Sequence, residues 1–531
     1  ADALNELTNV VTLAQNIIQP YSDLRNKIAE LKEIQTNSVA NNQTVAENLQ
    51  NSIMQANEQL STISSVEDVN ELTESLEEAR RTYITNAQPN ENYLFDMTYQ
   101  LVNPTFDLGN INGWNVTDYT GEKNYPKFGA GSTEFWHCTF NLSQTITGLP
   151  NGNYTITAQI DATTTTSVSL NGNNKTAPGS TGFDLSQYDK LSPVADAFAA
   201  DRDKYRSYVT ATVIDGQLTL GIRNTSTTNW VVFDDFRLVY AGKNANSYYA
   251  LLQEIIVKAE EVQANLKAPN VMMSTLTAQI EYAKGMNENS DVALLDMAAK
   301  NLKSTINQIE NMQESYTAYL NIWNACQEYL DATEYSEDKM AFSDQCASIN
   351  IEAGNAETVE TINQCTEKLE SARATFLAST PVVKAGQSLD VTFMVQNAAC
   401  TAKDGWASDN TADNFNTQSN SSMNGEYSGT FLEKWNNSSS APVFVKDDKI
   451  IYQTVNNLPQ GIYELKAAAF RVNQNGEAAE YAMALVFNEG FTAVKSEVLD
   501  YYSVMGTVDE NATAIIGLKA LKDYNANWNA I

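Results

Sequence analysis

Shortages narrow the possibilities before any motif is considered. Histidine is nearly absent: His137 is the single one in 531 residues. Cysteine is sparse and odd in number, with Cys138, Cys326, Cys346, Cys365 and Cys400 scattered along the chain. No C-x-x-C pair is present, so neither a disulfide framework nor a zinc site is indicated. Cys326, Cys346 and Cys365 fall in one helical region, where two could pair or all could stay buried thiols. Basic residues are few, 33 Lys and Arg against 65 Asp and Glu, for a formal charge of −32. Such a surface repels phosphate backbones and anionic lipid, so neither nucleic acid nor an anionic membrane is an expected partner. Apolar runs stay far short of the roughly 18 residues that cross a bilayer. No transmembrane segment is expected.

Catalytic motifs are missing in the same way. There is no G-x-S-x-G, no P-loop, no H-E-x-x-H and no G-x-G-x-x-G. His137 and Cys138 are adjacent, and neighbours in an extended strand point to opposite faces, so they form no dyad. With 65 acids, chance carboxylate pairs are certain, and no stretch of about 250 residues reads as a barrel to host a glycosidase pair. The chain reads as a non-enzyme.

What is present is an alternation of two textures. Apolar content of 43% is ordinary for a folded protein, and the length implies several cores. Residues 1–88 carry Leu, Ile, Val and Ala at three- and four-residue spacings, as in Leu24–Ile28–Leu31 and Leu49–Ile53, which predicts helix. From about 93 to 242 the pattern becomes short β-branched and aromatic runs broken by Asn-Gly and Pro-Gly. Residues 246–380 return to helix and 386–531 to strand. The chain opens at Ala1 with neither signal peptide nor lipid-anchor motif, the reading of a mature or excised segment. Abundant Asn, Thr, Ser and Tyr with little Lys suits the extracellular space or outer-membrane surface of a bacterium.

The alternation is also a repeat. "LEEARRTYITNA" (76–87) matches "LESARATFLAST" (369–380), and "FDMTYQLVN" (95–103) matches "LDVTFMVQN" (389–397). Gly113-Trp114 matches Gly405-Trp406, "QTITGLPNGNYTITA" (144–158) matches "QTVNNLPQGIYELKA" (453–467), and Gly221…Asn229-Trp230 matches Gly517…Asn527-Trp528. The offsets stay between 292 and 309. Within the helices, Val66, Val69, Leu76 and Ala79 recur as Val292, Leu295, Leu302 and Thr305, and as Val359, Ile362, Leu369 and Ala372. That spacing keeps each set on one helix face. The expected architecture is multidomain, α and β: three-helix bundles at 1–88, 246–313 and 314–380, and antiparallel sandwiches at 93–242 and 386–531, the second lacking its last strand.

The segments "LVNPTFDLGNINGWNV", "LSQTITGLPNGNYTITAQI" and "LTLGIRNTSTTNWVVFDDFRLVYAG" resemble the galactose-binding-like β-sandwich of carbohydrate-binding modules. The chain is similar to secreted or surface glycan-handling proteins of Bacteroidetes, and its helices resemble the three-helix spacers found beside such modules. The resemblance implies a jelly roll whose first and last strands are neighbours, often with a structural calcium there. Its ligands would be Asp107 and Asp234 or Asp235, with backbone carbonyls completing the about six to eight oxygens calcium takes. Otherwise one of that Asp pair faces solvent and the other caps a turn.

Sugar recognition calls for exposed rings and amides. Trp114 and Trp230 lie in repeated motifs and read as core. Tyr119, Tyr125 and Trp136 lie in the polar, Gly-rich "NVTDYTGEKNYPKFGAGSTEFW" and are candidate ligand contacts; in the second half Trp435 aligns with Trp136 and Tyr427 precedes it, and both are candidates too. A shared core position would account for Trp136 and Trp435 equally well. Three functions stand. The first is a non-catalytic surface or secreted protein binding a glycan or cell-surface polysaccharide, its helical spacers adding weak sites by avidity. The second is a structural or adhesive protein with other surface proteins as partners, and the third the accessory region of a larger glycoside hydrolase.

Overall fold

The computed structural model describes residues 2–90, 93–129, 131–179, 185–409, 415–419, 429–435, 444–472, 482–495, 499–523 and 528–531. The chain divides into two compact units, Ala1–Asn265 with Ser274–Gln308, and Leu266–Met273 with Ile309–Ile531. Both combine helices with antiparallel sheets.

The first unit begins with α1 (Asp2–Thr36), α2 (Gln43–Gln59) and α3 (Val66–Thr85). The periodic residues are the buried ones: Leu24, Ile28, Leu31, Leu49, Ile53, Val69 and Leu76 are all inside. Caps set the starts. Asn42 accepts from the Val45 amide, and Ser65 and Asp68 bond each other's backbone in a capping box.

Two sheets follow. One runs in the order Lys175–Pro178, Val168–Gly172, Leu218–Asn224, Cys138–Ile146 and Asn115–Gly121. The other runs Arg206–Val213, Gly152–Ala162, Trp230–Tyr240, Ser132–Trp136 and Lys127–Gly129, with Phe95–Asp96 pairing the far end of Trp230–Tyr240. Inward side chains lock the sheets face to face. Phe135 stacks on Phe140 across the gap at 3.9 Å, and Phe233 approaches Phe135 at 6.1 Å. A helix the sequence pattern did not predict, α4 (Leu191–Ala200), covers the outer side of the second sheet over Trp230 and Val232.

Then come α5 (Ala245–Asn265), α6 (Asn270–Lys284), α7 (Val292–Ala332), α8 (Glu337–Gly354) and α9 (Val359–Ala378). The 41-residue α7 contains no Gly or Pro, and the division expected between 313 and 314 falls inside it. All five cysteines are buried free thiols. Among the described residues, no helix is long and apolar enough to cross a membrane.

In the second unit, one sheet runs Phe415–Gln418, Phe431–Trp435, Trp528–Ala530, Gly461–Val472 and Asp500–Val508. The other runs Lys449–Asn456, Thr513–Ala520, Met483–Phe487 and Gly490–Ala493. The missing last strand is corrected in part: Trp528–Ala530 forms its first three residues, bonded to Phe431–Trp435 on one edge and to Gly461–Val472 on the other. The sequence matches occupy the same contacts in both halves. Gln144 brackets Val102, accepting from its N–H and donating to its C=O at 2.9 Å each. Gln453 does the same to Gln396 at 2.7 and 2.8 Å. Trp114 and Trp406 donate Nε1 to the carbonyls of Asn103 and Asn397, both at 3.2 Å. A side chain on Gly221 or Gly517 would collide with the Leu142 or Ile451 carbonyl, at 1.9 and 2.1 Å.

Candidate binding site

The Trp230–Tyr240 strand carries two adjacent acids because its alternation breaks there. Phe233 and Phe236 both face the core, 6.3 Å apart edge to face. Three residues apart, they can share a face only if the ladder slips, and the register shifts between Asp234 and Arg237. Asp235 sits in the bulge with φ +47°. The two carboxylates then meet opposite surroundings. Arg206 Nη2 reaches Asp235 Oδ2 at 2.5 Å and Arg237 Nη2 reaches Oδ1 at 3.1 Å. Burial alone would raise the Asp235 carboxyl, but the hydrogen bonds and charges of Arg206 and Arg237 outweigh it and hold it below the usual range. Asp234 Oδ1 is buried without a hydrogen-bond partner. Burial, then the charges of Asp235 and Asp107, push the Asp234 carboxyl up to about 7.

This geometry tests the calcium expectation. Asp107 is exposed, accepts from Thr105 Oγ1 at 2.7 Å, and lies within electrostatic reach of Asp234. An orphaned buried oxygen beside a second, accessible carboxylate fits a cation. Asp235 does not fit, because both its oxygens are held by arginines. Among the described residues no three His, Cys, Asp or Glu converge as a metal cluster, so backbone carbonyls would have to complete the shell.

The aromatic candidates separate by face. In Ser132–Trp136, Phe135 points inward and Trp136 outward, as strand alternation requires. Trp136 is 37% exposed, with its ring stacked on His137 at 4.4 Å and 5.5 Å from Trp230. Trp230 is buried under α4 and donates Nε1 to Glu134 Oε2 at 2.8 Å. His137 is not in a strand; it has φ +49° in the crossing to Cys138–Ile146, which is what lets its ring lie parallel to that of Trp136. Tyr119 lies on the other side, 6.4 Å from Phe135 and bonded through its hydroxyl to the Glu122 carbonyl. Tyr125 precedes a cis proline, packs its ring on the core, and accepts Lys127 Nζ both at its hydroxyl (3.2 Å) and over its face (4.6 Å). Thus Tyr119 and Tyr125 are packing residues at the rim, and Trp136 alone of the three presents a ring outward. Its neighbours Glu134 and His137 supply the polar flank that the sequence pattern did not single out. Tyr427 lies outside the described residues, and nothing of the Trp435 side chain is described. Trp435 pairs with Trp528 in the ladder as Trp136 pairs with Trp230.

No family model matches the chain, and no curated protein matches it. Among the solved structures that match is TmCBM61 in complex with beta-1,4-galactotriose, at 17% identity and a TM-score of 0.17, over 26% of this chain and 96% of that one.

Proposed function

We propose that the protein is a non-catalytic carbohydrate-binding component of a bacterial surface or secreted fraction. Its jelly-roll sandwiches would be carried on three-helix spacers. The observation that supports it is Trp136: a large flat ring, outward-facing, stacked on His137 and packed beside Trp230. A sugar's C–H face stacks on such a ring with little ordering cost, while Glu134 and His137 offer hydrogen bonds to hydroxyls at its margin. In this proposal Asp107 and Asp234 hold a calcium ion that neutralises the buried carboxylate and ties the Asp107 loop to the last strand. The ion's role is structural.

The test is a glycan array on the intact chain, followed by titration of the strongest hit against Trp136→Ala. The expected outcome is a specific oligosaccharide hit weakened at least about tenfold by the substitution, with the melting temperature unchanged. No hit, or a hit indifferent to Trp136→Ala, would remove the reading.

A further inference from the structure

Arg373 is a buried cation without an anion. It stands on α9 and is only 5% exposed. Its guanidinium carbon lies 3.9 Å from the centre of the Phe393 ring and 6.0 Å from that of Tyr329. Among the described residues it takes part in no ion pair, and its Nε is sealed from solvent without a hydrogen-bond partner. A guanidinium carries only N–H donors, and stacking on rings leaves them unmet. Burying such a group unpaired is costly, which is why buried charges are paired as a rule.

The first unit holds the same arginine with its partners in place. "LEEARRTYITNA" and "LESARATFLAST" put Arg80 at the position of Arg373. "FDMTYQLVN" and "LDVTFMVQN" put Asp96 and Tyr99 at the positions of Asp390 and Phe393. Arg80 lies over the Tyr99 ring at 6.0 Å, and its donors are met. Glu30 Oε1 accepts from Nε at 2.8 Å, Glu77 Oε1 from Nη1 at 3.4 Å, and the Asp96 carbonyl from Nη2 at 3.3 Å. Each of these acceptors is taken or absent at Arg373. The Tyr329 hydroxyl donates to the Asp390 carbonyl at 2.6 Å. Glu370, the counterpart of Glu77, is exposed to solvent. Leu24, Leu31 and Ile34 of α1 and Tyr319, Cys326 and Tyr329 of α7 are buried at one spacing, which puts the half-buried Ala325 where Glu30 stands. Ala325 ends at Cβ and offers no carboxylate.

We propose that Arg373 anchors a site for a small oxyanion. One carboxylate, sulfate or phosphate group takes the place that the Glu30 carboxylate has in the first unit, and accepts from Nε and the neighbouring Nη through two of its oxygens. The guanidinium fork matches that edge, and its stacking on Phe393 fixes the plane in which the oxygens lie. The low dielectric around the buried fork strengthens the pairing.

The test uses the full chain at constant ionic strength, with sodium acetate, sulfate or phosphate replacing chloride, read by titration calorimetry and by melting temperature. At least one of these oxyanions should bind saturably and raise the melting temperature above its value in chloride. Binding of acetate alone would assign the site to carboxylates, and binding of sulfate and phosphate alone to tetrahedral anions; either supports the proposal, as does binding of all. Sulfate and phosphate also stabilise proteins generally, by exclusion from their surfaces, so two variants separate the site from that background. Ala325→Glu supplies from α7 the carboxylate that Glu30 supplies from α1. It should melt above the parent in chloride and bind the oxyanion at least about tenfold more weakly. Arg373→Met should lose the saturable response, and each variant decides the matter if the other does not fold. The proposal falls if no oxyanion binds saturably, or if either variant binds it as the parent does.

Discussion

In residues 93–242, Phe233 is sealed on every side: Phe106, Phe135, Phe140 and Phe236 surround it, and the strand continues past it for seven more residues. In residues 386–531, Tyr463, Leu465 and Ala467 are only half-buried beside a cleft, where their counterparts Tyr154, Ile156 and Ala158 are buried. The two regions share their amide brackets, their tryptophan bonds and their close-packed glycines, yet their cores are closed to different degrees. The difference separates two kinds of contact. Local clamps organise the loops that enter the sheets, and they form wherever their few residues are present. In residues 93–242 the interior is closed by Trp230–Tyr240, which pairs both Gly152–Ala162 and Phe95–Asp96.

The comparison is broken most forcefully by truncating the seal. Phe233→Ala leaves a cavity among four rings and should cost about 3–5 kcal/mol, read as a fall in the calorimetric transition of its unit. Leu465→Ala should cost at most about 2 kcal/mol, because that side chain is only half-buried beside the cleft. Equal costs would mean that the second core is as closed as the first.

Next in size comes the pair of neighbouring acids. Asp234 has a folded pKa raised from 3.8 to about 7, so the folded state holds a proton that the unfolded chain releases. Between those values stability falls as pH rises, and above about 7 the penalty is complete. Asp235 acts in another window: its carboxyl is depressed, so its contribution is fully present above the unfolded value and is lost only as pH falls through the folded one. Asp234→Asn, in chelator, should therefore match the parent near pH 4 and exceed it by about 2–4 kcal/mol at pH 8. Calcium added at pH 8 should close that gap for the parent and leave the variant unmoved. Parallel pH profiles would sink the assignment of a raised carboxyl to Asp234.

Why the sequence left Asp234 and Asp235 undivided is clear from the ladder. Strict alternation assigns residues 233 and 235 to one face, whereas the core demands 233 and 236, and the bulge that reconciles them depends on Phe106 and Trp114, which pack on Phe236. Arg206, the residue that commits Asp235, is 29 positions away. By contrast, the helix faces of Leu24–Ile28–Leu31 and Leu49–Ile53 and the matched Gln, Trp and Gly positions were legible, because each depends on local spacing or on a residue type with one use. The same contrast explains the aromatics. Tyr119, Tyr125 and Trp136 share one polar stretch of sequence, but the intervening strand turns Trp136 away from the other two. The helix Leu191–Ala200 escaped notice because its Pro193 and flanking turn residues read as loop, although proline is tolerated in a first turn.

The smallest effect is also the finest test of equivalence between the halves. Gln144 and Gln453 are buried, and each satisfies both backbone groups of one loop residue. Replacing either with alanine strands an N–H and a C=O, which should cost about 1–3 kcal/mol. If the bracket does the same work in both halves, Gln144→Ala and Gln453→Ala should differ by less than about 0.5 kcal/mol, a margin that calorimetry of each variant can resolve. A much smaller loss at Gln453 would show that water already reaches the Gln396 loop. The second region would then differ from the first in its clamps.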